Sequence, residues 1–383
     1  MNPFRHVLGR ARQARRARAN GAAAPMHLRR LLMQWHITNR CNLRCAHCYQ
    51  ASYGEDPPGY DRLLHVLEQY VRLLTHLGAR TGGRWLPGQI TLTGGEPLLH
   101  PSFFDLLAAF ARYRSRFRFA VLTNGSLIDG DLADRLRRYD PSFVQVSLEG
   151  GADTHDRIRG QGSFERTALA VKHLVSSGVR AFVSFTAHRG NYHEFPEVAR
   201  VAADLGVAKV WADRLIPCGS GAQMHDDLLT PEETREFFGI MASAKQELRH
   251  VAAATEVGMA RSLQFLVAGG RPYRCSAGNS LITVMPNGDL YPCRRMPVRV
   301  GNVFETPLRD LYTDAELFGA LRDEDRPIKG CQGCAYVRRC GGGLRCLTYA
   351  ARGTAFSADP GCWRAQSSGH ASVEPDHTGV PEL

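Results

Sequence analysis

The sequence predicts an α/β fold: an open partial barrel of about six strand-helix units, followed by a cysteine-rich C-terminal domain. Three observations carry this. Between Leu32 and Leu215, short apolar runs rich in Val, Ile, Phe or Thr alternate with longer amphipathic segments. That alternation argues for parallel strands joined by right-handed crossovers, and six units are too few to close an eight-unit barrel. From Cys275 to Cys362 the chain instead becomes rich in glycine and cysteine, buries little apolar surface for its length and needs metal to hold its shape.

Taken in order, residues 1-30 form a basic, flexible arm with eight arginines (Arg5, Arg10, Arg12, Arg15, Arg16, Arg18, Arg29, Arg30) and no acid, which leaves only +3 of the formal +11 for the rest of the chain. A solvated terminus is the plainer reading, and nucleic acid is not an expected partner. Residues 31-225 hold the barrel. Its predicted strands are Leu32-Thr38, Gln89-Thr93, Arg118-Thr123, Phe143-Leu148, Ala181-Ala187 and Ala208-Leu215. Its predicted helices fall near 61-77, 103-113, 130-138, 163-177 and 193-205, with Ser163 as an N-cap and Gly178 as a stop. Residues 226-270 read as a helical connector opened by the cap Thr230 before Pro231 and Glu232. Residues 271-364 form the cysteine domain, with a turn at Pro286-Asn287-Gly288, and 365-383 read as a disordered tail.

The 383 residues contain eleven cysteines, an odd number that cannot pair off into disulfides. With no secretory signal and no run of eighteen or more apolar residues, the chain is expected to be cytoplasmic and away from the membrane. In that reducing setting clustered cysteines read as metal ligands or catalytic thiols.

Just past the first strand lie Cys41, Cys45 and Cys48, followed by Tyr49. Three close thiolates suit a four-iron four-sulfur cluster with one iron free of protein ligands; zinc with His47 as fourth ligand is the alternative. After the second strand comes Gly94-Gly95-Glu96-Pro97, in which glycines permit close backbone approach and a carboxylate suits an ammonium. Thr123-Asn124-Gly125 closes strand three, Ser147 and Glu149 close strand four, and the run from Thr154 to Arg159 follows.

These motifs, in this order, resemble those of the radical S-adenosylmethionine (SAM) enzymes, whose fold is a partial (β/α)6 TIM-like barrel. The resemblance implies that Cys41, Cys45 and Cys48 ligate the open cluster. It assigns the cofactor to Tyr49, Gly94, Gly95, Glu96, Pro97 and Asn124, its ribose to Ser147 and Glu149, and its carboxylate to Arg159 or Arg166. The expected chemistry is reductive cleavage of SAM and hydrogen abstraction by a 5'-deoxyadenosyl radical, with flavodoxin or ferredoxin as reductant.

The later spacing, Cys275-x12-Gly288-x4-Cys293, then Cys331-x2-Cys334-x5-Cys340-x5-Cys346, then Cys362, resembles the SPASM extension. That implies two auxiliary 4Fe-4S clusters, one on Cys331, Cys334, Cys340 and Cys362, the other on Cys275, Cys293 and Cys346. The family's usual spacing would put a thiol at Leu344, so either the Gly341-Gly342-Gly343 loop carries Cys346 to the same place or the first auxiliary cluster is under-ligated. A zinc knuckle is the alternative for Cys331-x2-Cys334.

Relatives with this extension usually modify ribosomally made precursor peptides, by thioether or carbon-carbon crosslinks or by inversion, in some cases with a separate recognition protein. Sulfatase maturation ranks lower, because the aspartate which that branch carries after the second SPASM cysteine is Arg294 here, followed by Arg295. These two cations instead suit an acidic peptide. Cys218, expected on the rim at the end of strand six, is a candidate hydrogen-atom donor in a peptide epimerase, against the plainer reading of a small buried residue. An iron-sulfur electron carrier or a zinc-ribbon nucleic-acid binder are the non-enzyme alternatives.

Overall fold

Strand register explains how this sequence makes a barrel with a polar interior. In the computed structural model, which describes residues 28-54 and 56-365, β1 (Leu31–His36), β2 (Gly88–Thr93), β3 (Phe117–Thr123), β4 (Val144–Ser147), β5 (Ala181–Ala187), β6 (Lys209–Arg214) and β7 (Glu256–Gly258) pair in parallel, each with the next. Most of the basic arm and of the predicted tail lie outside the described residues. Aligned across the sheet on one parity stand Gln34 with Thr91, His36 with Thr93, Ser147 with Ser184, Ser184 with Trp211 and Thr186 with Asp213. The other parity is apolar and buried: Met33, Trp35, Ile90, Leu92, Val121, Val144, Val146, Val183, Phe185, Val210 and Ala212. Because side chains alternate along a strand, a one-residue slip would turn the polar row onto the helices, so the pattern fixes the register.

The helices cover the apolar face. In α1 (Tyr60–Arg80) Leu63, Val66, Leu67, Tyr70, Leu73, Leu74 and Leu77 recur at helical spacing and are buried, each worth about 1.5–3 kcal/mol. The Tyr70 hydroxyl donates to the Leu31 carbonyl at 2.7 Å and accepts from Gln89 N at 3.1 Å, tying α1 to β1 and β2. Then come α2 (Phe103–Phe110), α3 (Gly130–Arg138), α4 (Ala152–Arg159), α5 (Ser163–Ser176), α6 (Phe195–Asp204) and α7 (Pro231–His250). Thr230 caps α7 in a full capping box with Glu233. Ser163 is not the cap of α5 but its first residue. The cap residue is Gly162, in a left-handed conformation, and Asp156 at the end of α4 takes over the capping role, accepting from Gly162 N at 2.6 Å and Phe164 N at 2.8 Å.

The stretch expected as a helical connector also contains β7, which extends the sheet beside β6. The cysteine domain joins the opposite edge: β8 (Leu281–Val284) pairs in parallel with β1, and β9 (Asp289–Tyr291) and β10 (Gly301–Asn302) follow antiparallel, giving one ten-stranded sheet. Pro286-Asn287-Gly288 makes the β8–β9 turn. Helices α8 (Leu308–Asp314), α9 (Glu316–Arg322) and α10 (Arg345–Arg352) complete the domain.

A second link is ionic. Arg214, the last residue of β6, makes a bidentate pair with Asp359 at 2.7 and 2.6 Å, with side chains 3 % and 0 % exposed. Asp359 also accepts from Leu344 N, Gly361 N and Ser262 Oγ at 2.9, 3.0 and 3.2 Å. Removing one member of a buried pair strands the other, so Arg214→Met should cost about 3–5 kcal/mol, read by urea denaturation of the anaerobic apoprotein. The double variant Arg214→Met/Asp359→Leu should recover part of that loss.

Candidate active site

The first cysteine loop leaves the carboxyl end of β1 and is held from three sides. Gly95 N donates to the Thr38 carbonyl and Glu96 N to that of Arg40, both at 2.8 Å. A Cβ at Gly95 would collide with the Arg40 carbonyl, so this close approach requires glycine. Ala46 N donates to the Ile158 carbonyl of α4 at 2.9 Å, and Gly221 N to that of Cys48 at 2.8 Å. Asn124 Nδ2 reaches Cys41 Sγ at 3.9 Å and Arg159 Nη1 reaches Cys45 Sγ at 3.7 Å. Burial pushes the Cys41 thiol up to about 11 and that of Cys45 upward as well, although Arg159 pulls Cys45 back. Among the described residues no three Cys, His, Asp or Glu side chains are placed to hold a single metal ion.

Above the loop, at the carboxyl ends of the strands, lies a cavity of about 160 Å³. Cys41, Cys45, Cys48, Tyr49, Gly94, Gly95, Asn124, Ser147 and Arg159, all singled out in the sequence, line it. Five other candidates do not. Glu96 is fully buried and accepts from Leu98 N, Thr123 Oγ1 and Asn124 N at 3.1, 2.8 and 2.8 Å; burial lifts its carboxyl to about 7. Pro97 is buried at the start of a short turn. Arg166 is exposed and bonds to the Gln161 carbonyl, away from the cavity. Cys218 is not part of the lining, and burial raises its thiol to about 12.

Glu149 departs furthest from the expectation of a ribose ligand. It accepts from His47 Nε2 at 3.0 Å, from Arg159 at 2.6 and 3.1 Å, and from Thr186 N at 2.8 Å. Burial alone would raise its carboxyl, but Arg159 and then His47 hold it well below the usual carboxylate range. Its acceptors are spent on organising the floor of the site, and Arg159 is spent with it.

The strand ends supply lining residues that motif reading passed over: Gln145, Ser184, Thr186, Trp211, Asp213 and Arg214. Their signal was position: Thr186, Asp213 and Arg214 sit near the carboxyl ends of predicted strands, and Gln145, Ser184 and Trp211 lie within the same strands. Trp211 Nε1 donates to Gln145 Oε1 at 3.1 Å. Asp213 accepts from Arg295 at 2.6 Å and Arg261 at 2.8 Å, which together hold it far below its ordinary value against burial. Arg294 also lines the cavity, stacked over the Tyr49 ring at 5.3 Å, and its Nε has no partner among the described residues. The turn that follows β9, closed by the Cys293–Met296 bridge, thus adds two guanidinium groups to the barrel's cavity, with Asp213 between Arg295 and Arg261.

In the cysteine domain, the glycines at 341, 342 and 343 all have positive φ, of 66°, 87° and 91°. This turn buries Leu344 in the core and brings the Cys346 thiol against Cys293, with Cys275 beside them. A hydrogen bond from Cys346, together with Arg295 and Arg294, draws the Cys293 thiol down and leaves that of Cys346 raised. Cys331, Cys334, Cys340 and Cys362 form a second neighbourhood beside Asp359. These two neighbourhoods hold the residues that the SPASM resemblance assigns to its two clusters.

Comparison with known proteins followed from this geometry. The radical SAM superfamily profile matches residues 35–202, and that of the SPASM iron-sulfur cluster-binding domain matches residues 275–335. The chain is 28% identical over 352 residues to the AdoMet-dependent heme synthase of Methanosarcina barkeri, covering 86% of this chain and 95% of that relative. It is 26% identical over 370 residues to the mycofactocin maturase MftC of Mycolicibacterium smegmatis, with coverages of 91% and 87%. Streptococcus suis SuiB bound to precursor peptide SuiA shares the fold, with a TM-score of 0.67 at 16% identity over 94% of this chain and 80% of that one.

The Glu149 network gives a test. Glu149→Gln should destabilise the apoprotein at pH 7 by about 3 kcal/mol or more, because Arg159 loses its buried partner. The folded carboxyl is depressed, so its stabilisation is present above the unfolded value of about 4.3 and is lost as pH falls below it. The difference between wild type and variant in thermal melts should therefore shrink below about pH 4.

Proposed function

Because the chain belongs to the radical SAM superfamily and carries a SPASM iron-sulfur domain, we propose that it is a maturase that oxidatively modifies a ribosomally made peptide, forming a thioether, a carbon-carbon crosslink or a related product. In this reading Cys41, Cys45 and Cys48 would hold the four-iron cluster, and Cys275, Cys293 and Cys346 with Cys331, Cys334, Cys340 and Cys362 the two auxiliary clusters. When bound, SAM and the reduced cluster supply a 5'-deoxyadenosyl radical able to take hydrogen from an unactivated carbon.

The chain's own residues do the rest. The backbone of Gly94 and Gly95, the Asn124 amide, the Ser147 hydroxyl and the Tyr49 ring form the polar and aromatic walls on which the cofactor would lie. Arg159 stays beside Cys45, its charge shared between that sulfur and Glu149. Arg295 is neutralised by Asp213, whereas Arg294 has no carboxylate partner among the described residues.

That free guanidinium in the cavity wall is the observation that supports an acidic substrate: it would receive a carboxylate of the peptide and turn the neighbouring carbon towards the cofactor. The precursor peptide named with SuiB, and the maturase relative, support the peptide reading. The heme synthase relative favours a second reading, in which an iron tetrapyrrole presents its carboxylates to the same arginine. Cys218 keeps its hydrogen, as a donor must, but it is not among the residues that line the cavity, which lends less support to an epimerase.

Coexpression with short reading frames from the same locus, followed by mass spectrometry in heavy water, tests the peptide reading. Loss of two hydrogens from one peptide supports crosslinking. Exchange of a single carbon-bound hydrogen would point to epimerisation, and an altered iron porphyrin with unchanged peptides would replace the first reading by the second. With the substrate in hand, Arg294→Gln should raise its KM about ten- to a hundred-fold, the worth of one charge-assisted hydrogen bond.

A further inference from the structure

Among the described residues Arg345 is the arginine with all three guanidinium nitrogens buried and without a hydrogen-bond partner. It opens α10 and is only 1% exposed. A buried guanidinium without an anion is a severe desolvation cost. Four other arginines around the site have carboxylates, the buried Arg214 with Asp359 and the half-buried Arg159 with Glu149 and Arg261 and Arg295 with Asp213.

What surrounds Arg345 narrows the missing anion. Its guanidinium lies over the Phe356 ring at 5.1 Å, a ring that it shares with Arg326 at 4.1 Å. The charged groups acting on it are the Cys275 thiol, which favours its cationic form, and Arg274 and Arg326, which oppose it. Its backbone N–H faces the Cys275 sulfur, and the next residue, Cys346, touches Cys293. Burial this complete excludes a ligand that exchanges with solvent, so the anion must be a resident group held by those thiols.

We infer that Arg345 is the fixed counter-charge of the first auxiliary cluster and that it raises that cluster's midpoint potential. This rests on the proposed ligation by Cys275, Cys293 and Cys346. A thiolate-ligated cluster is anionic and gains one negative charge when it takes one electron, so a desolvated cation beside it favours the reduced form. No proton is required, and in a titration the reductant added supplies the electron. Around the other four thiols the prevailing fixed charge has the opposite sign: Asp359 acts on Cys331, Cys340 and Cys362, opposed by Arg352 at Cys331 alone. Arg214 compensates that carboxylate but does not reverse it. The two auxiliary clusters therefore differ in potential, the first being the easier to reduce and the place where an electron leaving the substrate radical would come to rest.

The test uses full-length, anaerobically reconstituted protein in which Cys41, Cys45 and Cys48 are all alanine, so that only auxiliary signals remain. Dithionite titration followed by electron paramagnetic resonance should give two midpoints, with the higher-potential signal missing in an added Cys346→Ala variant. R345M with full iron and sulfide should move that midpoint to more negative potential and leave the other in place, while R345K should restore most of the shift. If R345M does not load, R345K must load and keep the wild-type midpoint. An unmoved midpoint in loaded R345M, or a loaded R345K shifted as far as R345M, would overturn the role of the charge. Absence of any signal that depends on Cys346 would overturn the ligand assignment itself, and the inference with it.

Discussion

The carboxylate of Asp359 receives five hydrogen bonds, two of them from Arg214, and the rest of the structure depends on that convergence. Arg214 ends the sixth strand, at the rim where the cavity opens. Leu344 N belongs to the turn that aims Cys346, and Gly361 precedes Cys362. One buried anion therefore fixes the barrel rim, the turn that presents one cysteine and the segment that presents another. The surrounding packing leaves no slack: a Cβ at Gly361 would collide with Arg214, and Trp363 packs edge-on to Phe238 of α7. With β8 zipped onto β1 at the opposite edge, the two cysteine regions are parts of one rigid frame.

Arginine does its work inside as much as outside. By sequence count, +8 of the formal +11 resides in the arm, which makes the remainder of the chain look nearly neutral. Spatially it is not neutral: Arg159, Arg261, Arg294, Arg295 and Arg345 lie near the thiols and the cavity, against Glu149 and Asp213. A planar, always-charged guanidinium can serve two acceptors at once, which lysine does poorly, and this suits groups that divide themselves between a carboxylate and a sulfur. Arg159 does so between Glu149 and Cys45, and Arg295 points to Asp213 while acting on Cys293 and Cys346. Burial nonetheless shifts the Cys45 and Cys275 thiols towards the neutral form against the nearby cations, and that of Cys41 against a backbone hydrogen bond from Leu43, whereas Cys293 is drawn the other way.

Most of the barrel was legible because its signals are local. Apolar alternation located β1 to β6 within a residue or two, and Thr230 with Glu233 makes the capping box that its sequence spacing suggests. What was not legible depends on pairs distant in sequence. Ser163 looked like a cap, but Asp156 supplies the oxygens because the preceding helix ends within reach. Glu149 looked like a ribose ligand because it closes a strand, yet Arg159 and His47, 10 and 102 residues away, claim it first. The placement of Cys346 required knowing that three successive glycines all take positive φ, which their identity permits but does not dictate. Short β7 was missed because three residues, Glu256–Gly258, give too little periodicity to detect.

The turn that follows β9 limits how such a site can change. Cys293, Arg294 and Arg295 are consecutive, and they serve three different surroundings: Cys293 meets Cys346, Arg294 meets Tyr49 and the cavity, and Arg295 meets Asp213 on β6. Strand pairing from Leu32 to Leu281 through Trp35 to Val284 sets the position of all three together. In the proposed assignment, a ligand of the first auxiliary cluster and the residue that reads the substrate are therefore neighbours on one rigid turn. A shift of that turn to suit a different substrate would also displace a cluster thiol, whereas replacement of the Arg294 side chain would not. Substrate preference in such a frame can change most freely by side-chain substitution at 294, against a backbone that the cluster and the sheet hold still.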